Sequence, residues 1–240
     1  MTRSLKYFGI DGCKAGWFYV ALRDNDNYQF GILKHFNEID QFLARSELIL
    51  VDIPIGLPSA SQPERVCDKE ARKMISPRGS CVFPAPTRSA LNKQAYKEGS
   101  EENFRVLGRR LSKQTWNISP KIKEVDDYLR SRKPGSKIRE MHPEVAFCSL
   151  NKGIPMKCAK KTPAGVKERL AVLKEHWSLT ETCYTDAIEH YLRREVARDD
   201  VLDALVGAVL ACRPNDLSML PARPSIDDQG LPMQIIYLGA

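Results

Sequence analysis

No apolar run in this 240-residue chain approaches the roughly 20 residues a helix needs to cross a bilayer, so no membrane partner is expected. The seven cysteines never form a Cys-x-x-Cys pair, and an odd, scattered set argues against a disulfide framework or a zinc knuckle. His142 has no second histidine at ligand spacing, and no internal repeat or low-complexity tract is present. Met1–Lys6 runs straight into a strand pattern, which leaves no room for a signal peptide and makes the cytoplasm the expected compartment.

What is present describes an ordinary globular protein: 42% hydrophobic and 28% charged residues, enough to bury a full core. The length fits one domain with an inserted piece. A net charge of +7 permits a polyanionic partner without demanding one.

Residues 5–11, 16–23 and 28–35 read as three strands, with Asp24-Asn25-Asp26-Asn27 as the second turn. Phe36 to Arg45 has helical spacing, and Leu48 to Val51 is a continuous apolar run suited to a strand covered on both faces. A hairpin meander followed by a helical crossover places this fourth strand parallel to the first and beside it. A helix is expected from Pro63 to Ile75, and residues 89–132 are mostly helical and basic around Trp116. Residues 60–135 therefore read as a helical insertion, closed by Lys133-Pro134-Gly135. A short strand at Ile138–Met141 follows, then helices at Val145–Leu150, Pro163–His176, Thr185–Arg194 and Asp199–Cys212. Val166, Leu170 and Leu173 mark the expected buried face of the second of these, and Met233–Leu238 is a candidate edge strand.

Carboxylates stand at the ends of these elements. Asp11 closes the first strand, with Gly12 opening a turn where backbone can approach a phosphate. Asp52 leaves the fourth strand before Ile53-Pro54, in extended backbone. Asp200 and Asp203 lie one helical turn apart, above a small-residue face of Ala204, Gly207, Ala208 and Ala211 that would let the helix lie close to the sheet. Glu144 in His142-Pro143-Glu144 is a further candidate. Each has a plainer reading. Asp-Gly is a common hairpin turn, Asp52 could cap one, Asp199 could cap its helix, and Glu144 suits a helix N-terminus. The plain readings leave the small-residue face unexplained. Carboxylates brought together in a basic chain need a cation, because like charges sharing a site raise each other's pKa.

Taken in order, Gly9-Ile10-Asp11-Gly12, Asp52-Ile53-Pro54-Ile55-Gly56-Leu57-Pro58, Arg65 with Cys67-Asp68 and Ala71-Arg72, Val82-Phe83-Pro84-Ala85-Pro86, His142-Pro143-Glu144 and Asp200-Val201-Leu202-Asp203-Ala204-Leu205 resemble the DUF429 family over nearly the whole chain. The resemblance implies an α/β fold of ribonuclease H-like type: a mixed sheet of three antiparallel strands plus parallel strands, flanked by helices, in a single domain carrying the insertion. It also implies a nuclease. The last motif is similar to the Asp-x-x-Asp-Ala-Leu of RuvC-type Holliday-junction resolvases, which implies metal-ligand roles for Asp11, Asp52, Asp200 and Asp203.

The expected activity is phosphodiester hydrolysis in nucleic acid, DNA or RNA, with two Mg²⁺ or Mn²⁺ ions, since hard carboxylates without His or Cys disfavour Zn²⁺. Glu144 is carried as an additional catalytic candidate. Arg78, Arg88, Arg109, Arg110 and Lys121 are the candidate phosphate contacts, and a homo-oligomer is left open. Two rivals remain at this point. A phosphotransferase of the actin and sugar-kinase type needs a second Gly-rich loop, for which residues 150–240 offer only Asn151-Lys152-Gly153 and Gly165. A non-catalytic nucleic-acid-binding or protein-binding module would keep the fold and cleave nothing.

Overall fold

The computed structural model describes residues 5–23, 27–132 and 135–239. The first half of the chain forms β1 (Tyr7–Cys13), β2 (Gly16–Leu22), β3 (Tyr28–Leu33), α1 (Asp40–Leu43), β4 (Leu48–Val51), α2 (Val66–Met74), α3 (Arg88–Leu91) and α4 (Tyr96–Leu107). Then follow α5 (Lys113–Arg132), β5 (Ile138–Glu140), α6 (Pro143–Leu150), α7 (Pro163–Lys174), α8 (Thr180–His190), α9 (Arg198–Ala211), β6 (Leu217–Ile226) and β7 (Pro232–Leu238). The chain divides into two compact units: Met1–Asp52 with Pro134–Ser218 and Ile236–Ala240, and Ile53–Lys133 with Met219–Ile235. The helices of the expected insertion fall in the second unit, together with residues 219–235, which the sequence reading kept elsewhere. Among the described residues, no helix is long and apolar enough to cross a membrane.

The first unit is a mixed α/β body built on a five-stranded sheet in the order β3-β2-β1-β4-β5. β1 pairs antiparallel with β2, and β2 with β3, because few residues separate them in sequence. β4 returns parallel to β1, with Tyr7 opposite Leu48 and Ile10 opposite Val51, and β5 continues parallel beside β4. Every residue of β4 is buried, as a strand covered on both faces requires. A parallel bridge from Met141 to Ile236 extends that edge. Residues 24–26, most of the expected second turn, lie outside the described residues, as do Lys133 and Pro134.

Helix α9 is buried from Val201 to Ala211 and lies on β1 through its small residues. A Cβ on Gly9 would stand 1.9 Å from the Ala204 carbonyl oxygen, and one on Gly207 would stand 3.0 Å from the Gly9 Cα. Strand and helix backbones touch there, which only paired glycines permit.

Several boundaries differ from expectation for identifiable reasons. Phe36–Ile39 is a 3₁₀ turn leading into the short α1, since apolar residues three apart (Phe36, Ile39, Phe42) suit that period as well. The Asp11-Gly12 step is no turn. It lies inside the β1–β2 ladder, Asp11 opposite Phe18 and Gly12 opposite Trp17, and Lys14-Ala15 forms the turn instead. α8 begins at Thr180 rather than Thr185, where the Thr180 hydroxyl donates to the Trp177 carbonyl at 2.6 Å. α7 buries Gly165, Arg169, Val172 and Leu173, leaving Val166 and Leu170 half-buried.

In the second unit, α2 starts at Val66, not at Pro63. Arg65 before it is extended and buried, its guanidinium held by Asp68 at 2.5 Å and by the Ile55 carbonyl at 3.0 Å. Trp116 packs α5 onto α4: a Cβ on Gly99 would stand 2.5 Å from its ring, and Tyr96 meets it edge-on. β6 pairs with β7 in a two-stranded sheet. β6 escapes a sequence reading because Pro221 and Pro224 interrupt it. Both prolines are tolerated because each strand of a two-stranded ribbon is an edge.

Candidate metal centre

The end of the β1–β4 ladder and one helix bring the acids together. The β1–β4 pairing ends at Ile10 opposite Val51, and the Asp52 amide then donates to the Ile10 carbonyl at 2.9 Å. Asp11, still within β1, and Asp52, just past the end of β4, therefore stand at the same level and the same sheet end. The contact of Gly9 with Ala204 fixes α9 so that Asp203, one residue before Ala204, comes to that end as well. Asp11, Asp52 and Asp203 each offer a carboxylate oxygen, and these oxygens lie within 4.8 Å of one another. Asp203 is 1% exposed, whereas Asp11 and Asp52 are half-buried as residues.

The electrostatics are those of a site short of positive charge. Burial lifts the Asp11 carboxyl well above the usual carboxylate range, and Asp52, Asp203 and Asp200 add to the lift. Asp52 is raised in the same way, by burial and then by Asp203. Asp203 is raised by burial against the opposing pull of Lys160, and its Oδ1 is buried without a hydrogen-bond partner among the described residues. One Asp11 oxygen accepts the Gly12 amide at 2.6 Å.

Asp200 stands at the edge of this group. Its Oδ2 accepts the Ala197 amide at 2.9 Å, so Asp200 rather than Asp199 ties down the first turn of α9. Burial pushes its pKa up to about 6, with Asp199 and Asp203 adding to the rise.

Lys160, which sequence reasoning noted only as a loop lysine, is the counter-charge. Its ammonium binds Asp203 Oδ2 and lies 3.7 Å from Asp199. Burial works against that charge, but Asp203, Asp11 and Asp52 outweigh it and hold the ammonium above lysine's ordinary pKa. No periodic signal marks it, because it sits in the loop between α6 and α7 among other lysines.

Glu144, carried from the sequence as a catalytic candidate, stands in a buried ion pair. It is 7% exposed, and its Oε1 accepts Nη2 of Arg169 at 2.5 Å. Arg169 is fully buried and also donates to the carbonyls of Cys158 and Gly165, both at 3.1 Å, fastening the loop that carries Lys160. An arginine inside an amphipathic helix reads as solvated, so this anchor was missed too.

The candidate phosphate contacts all belong to the second unit. Arg88 is already spent: Nη2 donates to Asp126 at 2.7 Å and to Asp227 at 2.5 Å, and Nε donates to Asp126 as well. That pairing ties α3 to α5 and to the β6–β7 turn. Arg109 donates to the Pro63 carbonyl at 3.2 Å, and Arg110 lies over the Phe104 ring at 5.2 Å. Arg78 precedes the turn Gly79–Cys81, and Lys121 is half-buried on α5.

One family model, described as "Protein of unknown function (DUF429)", matches residues 9–225, and the chain belongs to that family. Searches of curated proteins and of solved structures returned no match.

Proposed function

We propose that this DUF429 chain is a divalent-metal-dependent nuclease that hydrolyses phosphodiester bonds of nucleic acid on a ribonuclease H-like fold. The observation that carries the reading is the convergence of Asp11, Asp52 and Asp203 within 4.8 Å, with Asp203 Oδ1 buried and unpartnered among the described residues. Three hard oxygen donors with raised proton affinity fit Mg²⁺ or Mn²⁺, and no His or Cys belongs to the group. A divalent ion bound there supplies an activated water and charge stabilisation at the departing oxygen.

The chain's own residues divide the work. Asp203, enclosed on α9, fixes the inner wall of the site. Asp11 and Asp52 present the open side toward which a phosphodiester can move. Asp200, one turn before Asp203 on α9, would be the fourth ligand of a two-ion arrangement. Lys160 keeps a positive charge beside the acids and orients the anionic group. The three antiparallel strands, followed by parallel β4 and β5, support the fold reading, and the +7 net charge suits a polyanion.

The test is cleavage of end-labelled single-stranded and double-stranded DNA and RNA, with Mn²⁺ or Mg²⁺ against chelator. Metal-dependent products that vanish in Asp52→Asn are expected. Binding without cleavage under either metal would replace the nuclease by a binding module.

A further inference from the structure

Beside the acidic centre the first unit opens a cleft of about 920 Å³, within the size range of small-ligand sites. Its floor is apolar. Val166 and Leu170, one turn apart on α7, line it together with Tyr184 and Ile188, one turn apart on α8. Val166 and Leu170 are the residues an amphipathic reading of α7 would bury, yet they stay half-buried because Arg169 takes the inward position. The charged lining has a basic excess: Lys160, Lys161, Lys167, Arg193 and Arg198 border the cleft, with Glu175 and Asp199 among them. Lys174 is matched by Glu181 at 3.0 Å, and Lys161 reaches Asp199 at 3.8 Å. Among the described residues, Lys167 and Arg193 have no ion-pair partner, and both are exposed.

We infer that this cleft is a nucleotide subsite, holding the base of a nucleotide whose phosphate is directed to the acidic centre. The inference rests on the nuclease reading and names where its substrate lies. A simple anion would leave the apolar floor unused, and an uncharged apolar ligand would leave the basic rim unmatched. A flat base joined to an anionic phosphate satisfies both. Continuity fixes the orientation: Lys160 and Asp199 border the cleft, and Lys160 also binds Asp203 of the acidic centre. The phosphate end therefore lies toward Lys160, and the base lies between α7 and α8. This replaces the second-unit arginines as the principal contact surface for substrate.

The test compares binding of a nucleoside 5′-monophosphate with that of ribose 5-phosphate, by calorimetry in chelator. The monophosphate should bind on the order of tenfold more tightly, the low end of what stacking a base supplies. Leu170→Asp should erase that preference, whereas Lys167→Glu with Arg193→Glu should weaken both compounds. If Leu170→Asp fails to fold, Ile188→Thr on the same floor carries the test. Equal affinity for the two compounds would reduce the cleft to an anion site, and no binding of either would remove it altogether. Because chelator is present, failure of the metal reading leaves this measurement intact. Conversely, loss of the base preference leaves metal-dependent cleavage standing.

Discussion

The Ala204 carbonyl oxygen occupies the space where a side chain at Gly9 would begin, 1.9 Å from the position of its Cβ. That single contact sets the distance between α9 and β1, and with it the distance between Asp203 and Asp11. The acidic centre is thus a consequence of backbone packing two residues below it on the strand.

Gly9→Ala should therefore damage fold and site together. The obstructing atoms are backbone oxygen and nitrogen, which cannot swing aside as a flexible side chain would. Destabilisation of about 3 kcal/mol, the upper end of ordinary overpacking, is expected in urea unfolding. Any metal-induced stabilisation should fall at the same time, because α9 must move outward with Asp203. A fully stable Gly9→Ala protein with unchanged metal response would refute the link.

Arg169 and Glu144 make the second prediction. Removing one partner of a buried pair leaves an uncompensated charge, so Arg169→Leu should cost roughly 3–5 kcal/mol. The double variant Arg169→Leu with Glu144→Leu should recover a large part of that loss, because no charge remains buried. If Glu144→Gln alone abolished cleavage while leaving stability intact, Glu144 would act in catalysis and not only in the pair.

The third concerns pH. Asp11, Asp52 and Asp203 have folded-state pKa values above their unfolded ones, and Asp200 stands at about 6. The folded chain then binds protons more tightly than the unfolded chain, so stability falls as pH rises through that window. In chelator, the melting temperature should be higher near pH 5 than near about 7.5, and Asp52→Asn should flatten the slope. Lys160, raised above its ordinary value, contributes stability that is lost only at alkaline pH, outside the window. Glu102 in the second unit, lowered to about 2 by its hydrogen bond from Arg105, reverses the slope only in strong acid. A metal-free protein that gains stability from pH 5 to 7.5 would contradict the crowding of acids.

The strands and acids that could be read from the sequence are those marked by continuous apolar runs: Tyr7 to Ile10 leading to Asp11, and Leu48 to Val51 leading to Asp52. Gly207 and the alanines of α9 announced a close approach to the sheet, although Gly9 as its counterpart emerges only from the register. Lys160 and Arg169 were hidden because charge in a loop or on a helix normally means solvent, and only tertiary packing turned both toward carboxylates. The face of α7 was misjudged for the same reason, since burying Arg169 rotates Val166 and Leu170 outward. Arg88 is held by Asp126 and Asp227, and Trp116 by Gly99 and Tyr96, contacts that no local pattern in the sequence marks.

The central claim, that Asp11, Asp52 and Asp203 form a metal site, is tested most directly by paired melting curves of the parent and Asp11→Asn, each in chelator and in saturating Mn²⁺. In chelator the variant should melt at the same temperature or higher, since one crowded carboxylate has become neutral. Metal should stabilise the parent by about 2.7 kcal/mol at a hundredfold excess over its dissociation constant, and the variant by far less. Equal stabilisation of both proteins by metal, or of neither, would contradict the account.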